Sequence, residues 1–353
     1  MVILRRAQRI ERQMMMTTAD RPQPPLAAPT GSILSLAHQI SYVTDDFDGF
    51  IARLQQRYRV GDFLVRHDHS RGTPGSSGAI LHLALAWLDD VMIEVIQPNP
   101  SHPSIYRHAL PPAGGVGRFH HLGVAMTTRE QWDEGQAIIA REALPVEIAG
   151  KPSATMDFSY PDARRDFGHF LEFSYREGGR DAMAVPRNPG KGPAGWSLFS
   201  GAFQRGYVVA DIDSAMARIT AAYGITQWSI IDNRGTNRMT RRIALARTGL
   251  SMIELIEPND AVAHIYADHR PAASQTAQFH HLGCLLPDIA ALEDVVAQLQ
   301  RCDIPIVGRG EAGPLHFLYA DTRAELGHFM EYLATDGEPL AMLDNVPGND
   351  WRG

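Results

Sequence analysis

Only two cysteines, Cys284 and Cys302, occur in 353 residues. Two thiols make neither a disulfide framework nor a four-thiolate metal site. They read as reduced packing residues of a cytosolic protein. Long apolar runs are missing too: no stretch approaches the roughly 20 residues that a membrane-spanning helix needs. A basic excess is also absent. The net charge of -7 opposes phosphate binding, so neither nucleic acid nor a membrane is expected as a partner. Hydrophobic residues at 44% and charged residues at 21% exclude a wholly disordered, collagen-like or coiled-coil chain. Histidine, by contrast, is plentiful, with 15 residues.

Residues 1–32 are expected to be a disordered tail. Arg5, Arg6, Arg9 and Arg12 precede Met14 to Met16 and a proline-rich stretch from Arg21 to Pro29. The apolar segment Met1 to Leu4 is shorter than the roughly 7–15 residues of a signal-peptide core. An over-long start, with one of Met14, Met15 and Met16 as the initiator, is the alternative to a disordered tail, and a basic transit peptide is a weaker one. Arg176 to Gly195 is rich in glycine, proline and charge, the composition of a linker. The expected organisation is a first domain at 33–180, a linker at 181–200 and a second domain at 201–353.

The two halves are copies of each other. Ile93-Glu94-Val95-Ile96-Gln97-Pro98-Asn99 returns 160 residues later as Ile253-Glu254-Leu255-Ile256-Glu257-Pro258-Asn259. Phe119-His120-His121-Leu122-Gly123 returns at the same offset as Phe279-His280-His281-Leu282-Gly283. Gly168-His169-Phe170-Leu171-Glu172 returns as Gly327-His328-Phe329-Met330-Glu331, offset 159. Tyr160, Asp162 and Arg164 reappear as Tyr319, Asp321 and Arg323. Upstream, His38 to Asp45 aligns with Gln204 to Asp211 at offset 166, and the six residues lost by the second copy are assigned to the polar stretch His67 to Gly78. Each half divides again. Strand-like openings at His38, His121, Gln204 and His281 each precede a helical pattern and further strands. The fold class is α+β, with four βαβββ-type modules. Modules one and two could pair, or one and four.

Polar residues inside apolar strands are the candidate functional groups. Glu94, Glu172, Glu254 and Glu331 occupy matching late positions in the four modules. A buried carboxylate is costly unless it is paired or binds a metal. His38, His121, Gln204 and His281 occupy the opening positions. Imidazole, carboxylate and amide oxygen are all ligands for a divalent metal. The expected clusters are therefore His38, Glu94, His121 and Glu172 in the first half, and Gln204, Glu254, His281 and Glu331 in the second. Adjacent strand residues face opposite ways, so only one of each pair enters the site; aligning the opening strands sets His121 and His281 with His38, and His120 and His280 are assigned to packing or support. His169 and His328, at odd spacing from Glu172 and Glu331, are read as structural. Tyr160 and Tyr319 are read as core residues with cavity donors as the alternative. Asp162–Arg164 and Asp321–Arg323 are read as turn pairs.

These residues resemble the vicinal oxygen chelate superfamily, which includes glyoxalase I, methylmalonyl-CoA epimerase, extradiol dioxygenases and bleomycin-resistance proteins. The resemblance covers about residues 35 to 335. It implies two tandem domains, each a pair of βαβββ modules curled around a metal and substrate cavity. It also implies a divalent metal: nickel, zinc, cobalt, manganese or Fe(II). Four candidate ligands per half leave two open positions, suited to Lewis-acid chemistry on a bidentate oxygen substrate. The expected activity is that of a metal-dependent isomerase, epimerase or lyase of the glyoxalase type, with Glu172 and Glu331 as detachable bases. An Fe(II) ring-cleavage dioxygenase is the alternative, suggested by the four-module length and opposed by Gln204. A resistance-type protein that sequesters its ligand is a second alternative. The expected partners are a small-molecule substrate and a second copy of the chain, in the cytoplasm. Apart from the metal, no cofactor is implied.

Overall fold

The computed structural model of the chain describes residues 31–69, 78–179, 184–336 and 345–350. Nearly all of the expected tail therefore lies outside the described residues. Ser32 is an exception: it is buried, and its N–H donates to the Asn349 carbonyl at 2.9 Å.

The first half contains β1 (Ala37–Val43), β2 (Leu64–Arg66), β3 (Ile80–Leu88), β4 (Val91–Pro98), β5 (Arg118–Met126), β6 (Val146–Ser153), β7 (Met156–Pro161) and β8 (Phe170–Arg176). They form one sheet in the order β2-β3-β4-β1-β5-β8-β7-β6. β1 and β5 meet antiparallel at its centre, and each pairs in parallel with the last strand of its own module. Three short strands follow: β9 (Arg187–Asn188), β10 (Lys191–Gly192) and β11 (Gly195–Trp196). The second half then adds β12 (Ala202–Val209), β13 (Ser229–Asp232), β14 (Thr240–Thr248), β15 (Ser251–Pro258), β16 (Ala277–Leu285), β17 (Ile306–Ala312), β18 (Leu315–Ala320) and β19 (Phe329–Thr335). Their order, β13-β14-β15-β12-β16-β19-β18-β17, repeats the first. The chain thus adopts the expected α+β class, with two curled sheets. Modules pair one with two and three with four.

Each module's helix starts on a side-chain cap. Asp46, Asp211 and Asp288 accept from the backbone N–H groups of Gly49, Ser214 and Ala291, and Thr128 forms a capping box with Gln131. Such caps satisfy amides that the first helical turn leaves open. The helix Phe47–Gln56 buries Phe47, Phe50, Ile51 and Leu54, the expected apolar stripe.

The halves share one continuous core, and their contacts are reciprocal. Phe119 and Phe279 meet with ring centroids 4.5 Å apart. His169 of the first half bonds Tyr207 of the second at 3.0 Å, and His328 bonds Tyr42 at 2.9 Å. Burial holds His169 at about 3 and His328 at about 4, so both rings are neutral. In each, Nδ1–H donates to a carbonyl, of Phe170 or Phe329, and Nε2 accepts from the tyrosine hydroxyl. Asp166 accepts from Arg218 and Tyr223, and Glu325 correspondingly from Arg53 and Tyr58. The repeated Gly-His-Phe segment is therefore a domain-joining element.

A further repeat lies inside the stretch read as a linker. Val185-Pro186-Arg187-Asn188 runs along β3, where Trp87 N–H donates to Pro186. Val346-Pro347-Gly348-Asn349 runs along β14 in the same way, with Arg247 N–H donating to Pro347. Residues 185–188 thus pack on the first domain's sheet. No helix among the described residues is long and apolar enough to cross a membrane. Cys284 and Cys302 are both buried, and no disulfide joins them.

Candidate metal centres

Four strands of the first sheet carry one cluster. Glu94 on β4, His121 on β5 and Glu172 on β8 bring their ligand atoms within 4.8 Å of one another. Glu254, His281 and Glu331 do the same in the second half. The cross-strand register explains the assembly: β1 and β5 are neighbours, and each has a late glutamate strand beside it in parallel.

The fourth member differs from the expectation in the first half. Gln39, and not His38, occupies the place of Gln204. Both glutamines pair with a glycine of the neighbouring strand, Gly123 or Gly283, and with Met92 or Met252. Gln39 Nε2 donates to Glu94 at 2.8 Å and to Glu172 at 3.3 Å. Gln204 Nε2 donates to Glu254 at 2.7 Å and to Glu331 at 3.2 Å. The correct offset of the opening strands is thus 165, which also aligns Tyr42 with Tyr207 and Asp46 with Asp211. That double match was the available signal. His38 stands one residue earlier, at an irregularity in the β1–β5 pairing, with its ring 5.6 Å from Trp87. Its counterpart is Phe203. Both clusters are therefore glutamine, glutamate, histidine, glutamate.

The repeated glycines acquire a reason here. A Cβ on Gly123 would stand 2.7 Å from the Gln39 Cβ, and one on Gly283 would stand 2.8 Å from the Gln204 Cβ. Only glycine lets the glutamine cross over the neighbouring strand.

The doubled histidines also resolve. The register slips between His121 and Phe119, and between His281 and Phe279, leaving His120 and His280 as the extra residues of bulges. A bulge breaks strict alternation and lets neighbouring rings meet. His120 Nδ1 lies 2.9 Å from His121 Nδ1, and His280 Nδ1 lies 3.0 Å from His281 Nδ1. Burial, then the adjacent His121 or His281, pushes His120 and His280 well below the usual imidazole range. His280 Nε2–H can donate only outward, to the Ile265 carbonyl at 3.3 Å. Its Nδ1 then accepts from His281 Nδ1–H, which directs His281 Nε2 at the carboxylates. His280 thus orients His281, and His120 stands at the same place beside His121.

The residues fit a divalent ion. His121 Nε2 is fully buried and lies 3.2 Å from Glu94 and 3.4 Å from Glu172, yet it is aligned for a hydrogen bond to neither. That is how donors sit around a shared point. His281 Nε2 lies 3.2 Å from both Glu254 and Glu331. Two carboxylates around one imidazole leave each buried cluster negative even when the ring is protonated. A cation would offset that desolvated charge. Burial raises Glu254, and repulsion from Glu331 adds to this against the pull of His281.

The halves differ above the clusters. A cavity of about 210 Å³ opens over the first, reaching Gln39, Glu94 and Glu172. Tyr106 and Tyr160 line it, and the Tyr160 ring stands edge-on to His121 at 5.1 Å. Asp162 and Arg164 form a local bidentate pair at 2.8 and 2.6 Å, with the guanidinium over Phe170, so they are a structural turn. Over the second cluster, Phe203, Leu285, Leu333 and Val346 pack together as a buried apolar group.

A sequence profile described as the glyoxalase/bleomycin resistance protein/dioxygenase superfamily matches residues 203–319. The first half repeats the same strand order and the same cluster. The match to this vicinal oxygen chelate superfamily thus falls on the second half, whose fold and cluster the first half shares. No curated protein matches the sequence. Among solved structures, a mutant of 4-hydroxymandelate synthase from Streptomyces coelicolor is 14% identical with a TM-score of 0.50, covering 88% of this chain and 94% of that one. An extradiol ring-cleaving dioxygenase from B. fuscum is 14% identical with a TM-score of 0.50, covering 94% of this chain and 79% of that one. The Mn(II)-bound glyoxalase from Novosphingobium aromaticivorans is 11% identical with a TM-score of 0.46, covering 91% and 87%. At such identities the likeness is one of fold.

Proposed function

We propose that the chain is a metal-dependent lyase or isomerase that moves a proton on a carbon next to an oxygenated carbon of a small substrate. One observation carries this reading. Each cluster holds a single imidazole, two carboxylates and an amide, not the two imidazoles and one carboxylate of oxygen-activating non-haem iron. Replacing His38 by Gln39 removes the second imidazole that a first-half dioxygenase site would have used.

A bound divalent ion supplies Lewis-acid polarisation of a substrate oxygen. The chain does the rest. Glu172 borders the cavity and takes the longer of the two Gln39 hydrogen bonds. It is the base that removes a carbon-bound proton and returns it. Burial, followed by the field of Glu172, keeps the Tyr106 and Tyr160 hydroxyls protonated. They can donate to oxygens on which charge develops. His120 fixes the orientation of His121. Glu331 holds the second cluster under its apolar cover and serves there as a ligand.

The test is proton exchange. Mn(II)-loaded protein is incubated in heavy water with 2-oxo acids, 2-hydroxy acids and 2-oxoaldehydes and followed by proton NMR. Loss of a carbon-bound proton from one of them is expected. Glu172→Gln should abolish it and Glu331→Gln should leave it. Oxygen uptake with catechols by iron-loaded protein, without exchange, would favour the dioxygenase alternative. Tight ligand binding without turnover would favour a sequestering protein.

A further inference from the structure

The cavity over the first cluster has apolar walls, including Leu83, Leu85, Met92, Ile148 and Phe158, yet two guanidiniums, Arg66 and Arg176, also line it. Among the described residues neither forms an ion pair with a carboxylate. The hydrogen bond of Arg176 goes to Met156 Sδ at 2.8 Å, and a thioether is a weak acceptor. Burial and then the positive field of Arg66 push Arg176 below the usual guanidinium range. Two like charges beside one partly buried space are costly unless a negative group joins them.

The duplication supplies an internal control. Arg66 opposes Leu83 as Ile231 opposes Ile243, and Arg176 opposes Met156 as Thr335 opposes Leu315. Ser174 corresponds in the same way to Leu333. The second half therefore keeps the metal-type cluster and the fold but lacks both cations, and it fills the space with Phe203, Leu285 and Leu333. What is common to both halves serves fold and metal. What differs serves the ligand.

We propose that the first half alone binds substrate and that it selects a small organic acid. The acid's chelating oxygens face Glu94, His121 and Glu172, its apolar middle lies along the walls, and its carboxylate is held by Arg66 and Arg176. Guanidinium suits a carboxylate because both are planar and can bond in two places. This inference rests on the metal-site reading above.

Hydroxamates test it, because they chelate divalent ions through two oxygens. Benzohydroxamate, 4-carboxybenzohydroxamate and 4-(carboxymethyl)benzohydroxamate are titrated by calorimetry into the Mn(II)-loaded full chain. At least one carboxylated compound should bind about tenfold tighter than the parent, the scale of a charge-assisted hydrogen bond. Arg66→Gln with Arg176→Gln should erase that advantage and leave the parent's affinity unchanged. Raising salt on the unaltered protein should also shrink it. Equal affinities for all three compounds, or an advantage that survives in the variant, would overturn the inference and leave the metal-site reading intact. No binding by any hydroxamate would overturn both.

Discussion

Metal binding to the two clusters should depend steeply on pH. In the metal-free protein burial alone would lower His121, but the adjacent Glu172 and Glu94 carboxylates outweigh it and hold the imidazole at about 9. His281 stands at about 9 as well, with burial outweighed by Glu331 and Glu254. A ligating Nε2 must be neutral, so each ion displaces a proton. With such a value about 97% of each imidazole is protonated at pH 7.5, so about one proton should leave per ion bound. Between pH 6.5 and 8.5 the apparent affinity should rise nearly tenfold per unit, about 2.5 kcal/mol in all. Folding shows the opposite sign. The folded value lies above the unfolded one of about 6.5, so the histidine–glutamate attraction stabilises the metal-free chain fully below that pH and is lost as pH rises through about 9. Calorimetric titration of Mn(II) in buffers of different ionisation enthalpy counts the protons and gives the affinity at each pH. A proton count near zero at pH 7.5, with an affinity flat across the range, would refute the assignment of these imidazoles as ligands.

Three further outcomes are expected. His38→Ala should leave about two ions per chain, whereas Gln39→Ala should weaken the first site by roughly 10–100-fold, read by metal titration; the reverse pattern would restore His38 as the ligand. Gly123→Ala and Gly283→Ala should each displace one glutamine and weaken one site by a similar factor, so that each variant keeps a single tight ion. Tyr207→Phe leaves His169 Nε2 buried without its donor and should cost about 1–3 kcal/mol in urea unfolding, with the same expected of Tyr42→Phe; losses well below that range would show that these bonds do not hold the halves together.

The duplication, the four modules and the four late glutamates were legible in the chain because they repeat at nearly constant offsets. Strand alternation admits only one histidine of each pair to the site, and the alignment with His38 that selects the second is itself one residue out of register, since Gln39 holds that place. Alternation failed where strands bulge. A bulge inserts one residue and reverses which side chains face the site. At the opening of β1 a misalignment by one residue exchanged Gln39 for His38. At β5 and β16 the extra residues His120 and His280 became supports, which regular pleating would have placed on the opposite face. Repeats by themselves also could not say which modules pair, since either pairing leaves every offset unchanged. Hydrogen bonding between β1 and β5 decided that, and the reciprocal contacts of His169 and His328 joined the halves. The sequence alone determined the fold class and the kinds of candidate ligand, because these depend on local pattern and on chemistry repeated in each copy. The tertiary structure decided what kind of surface stands over each cluster. That depends on Arg66, Ser174 and Arg176 meeting over one cluster, and on Ile231, Leu333 and Thr335 standing at the same places over the other. In each copy the first of these residues lies far along the chain from the other two, and only the curl of the sheet brings them together.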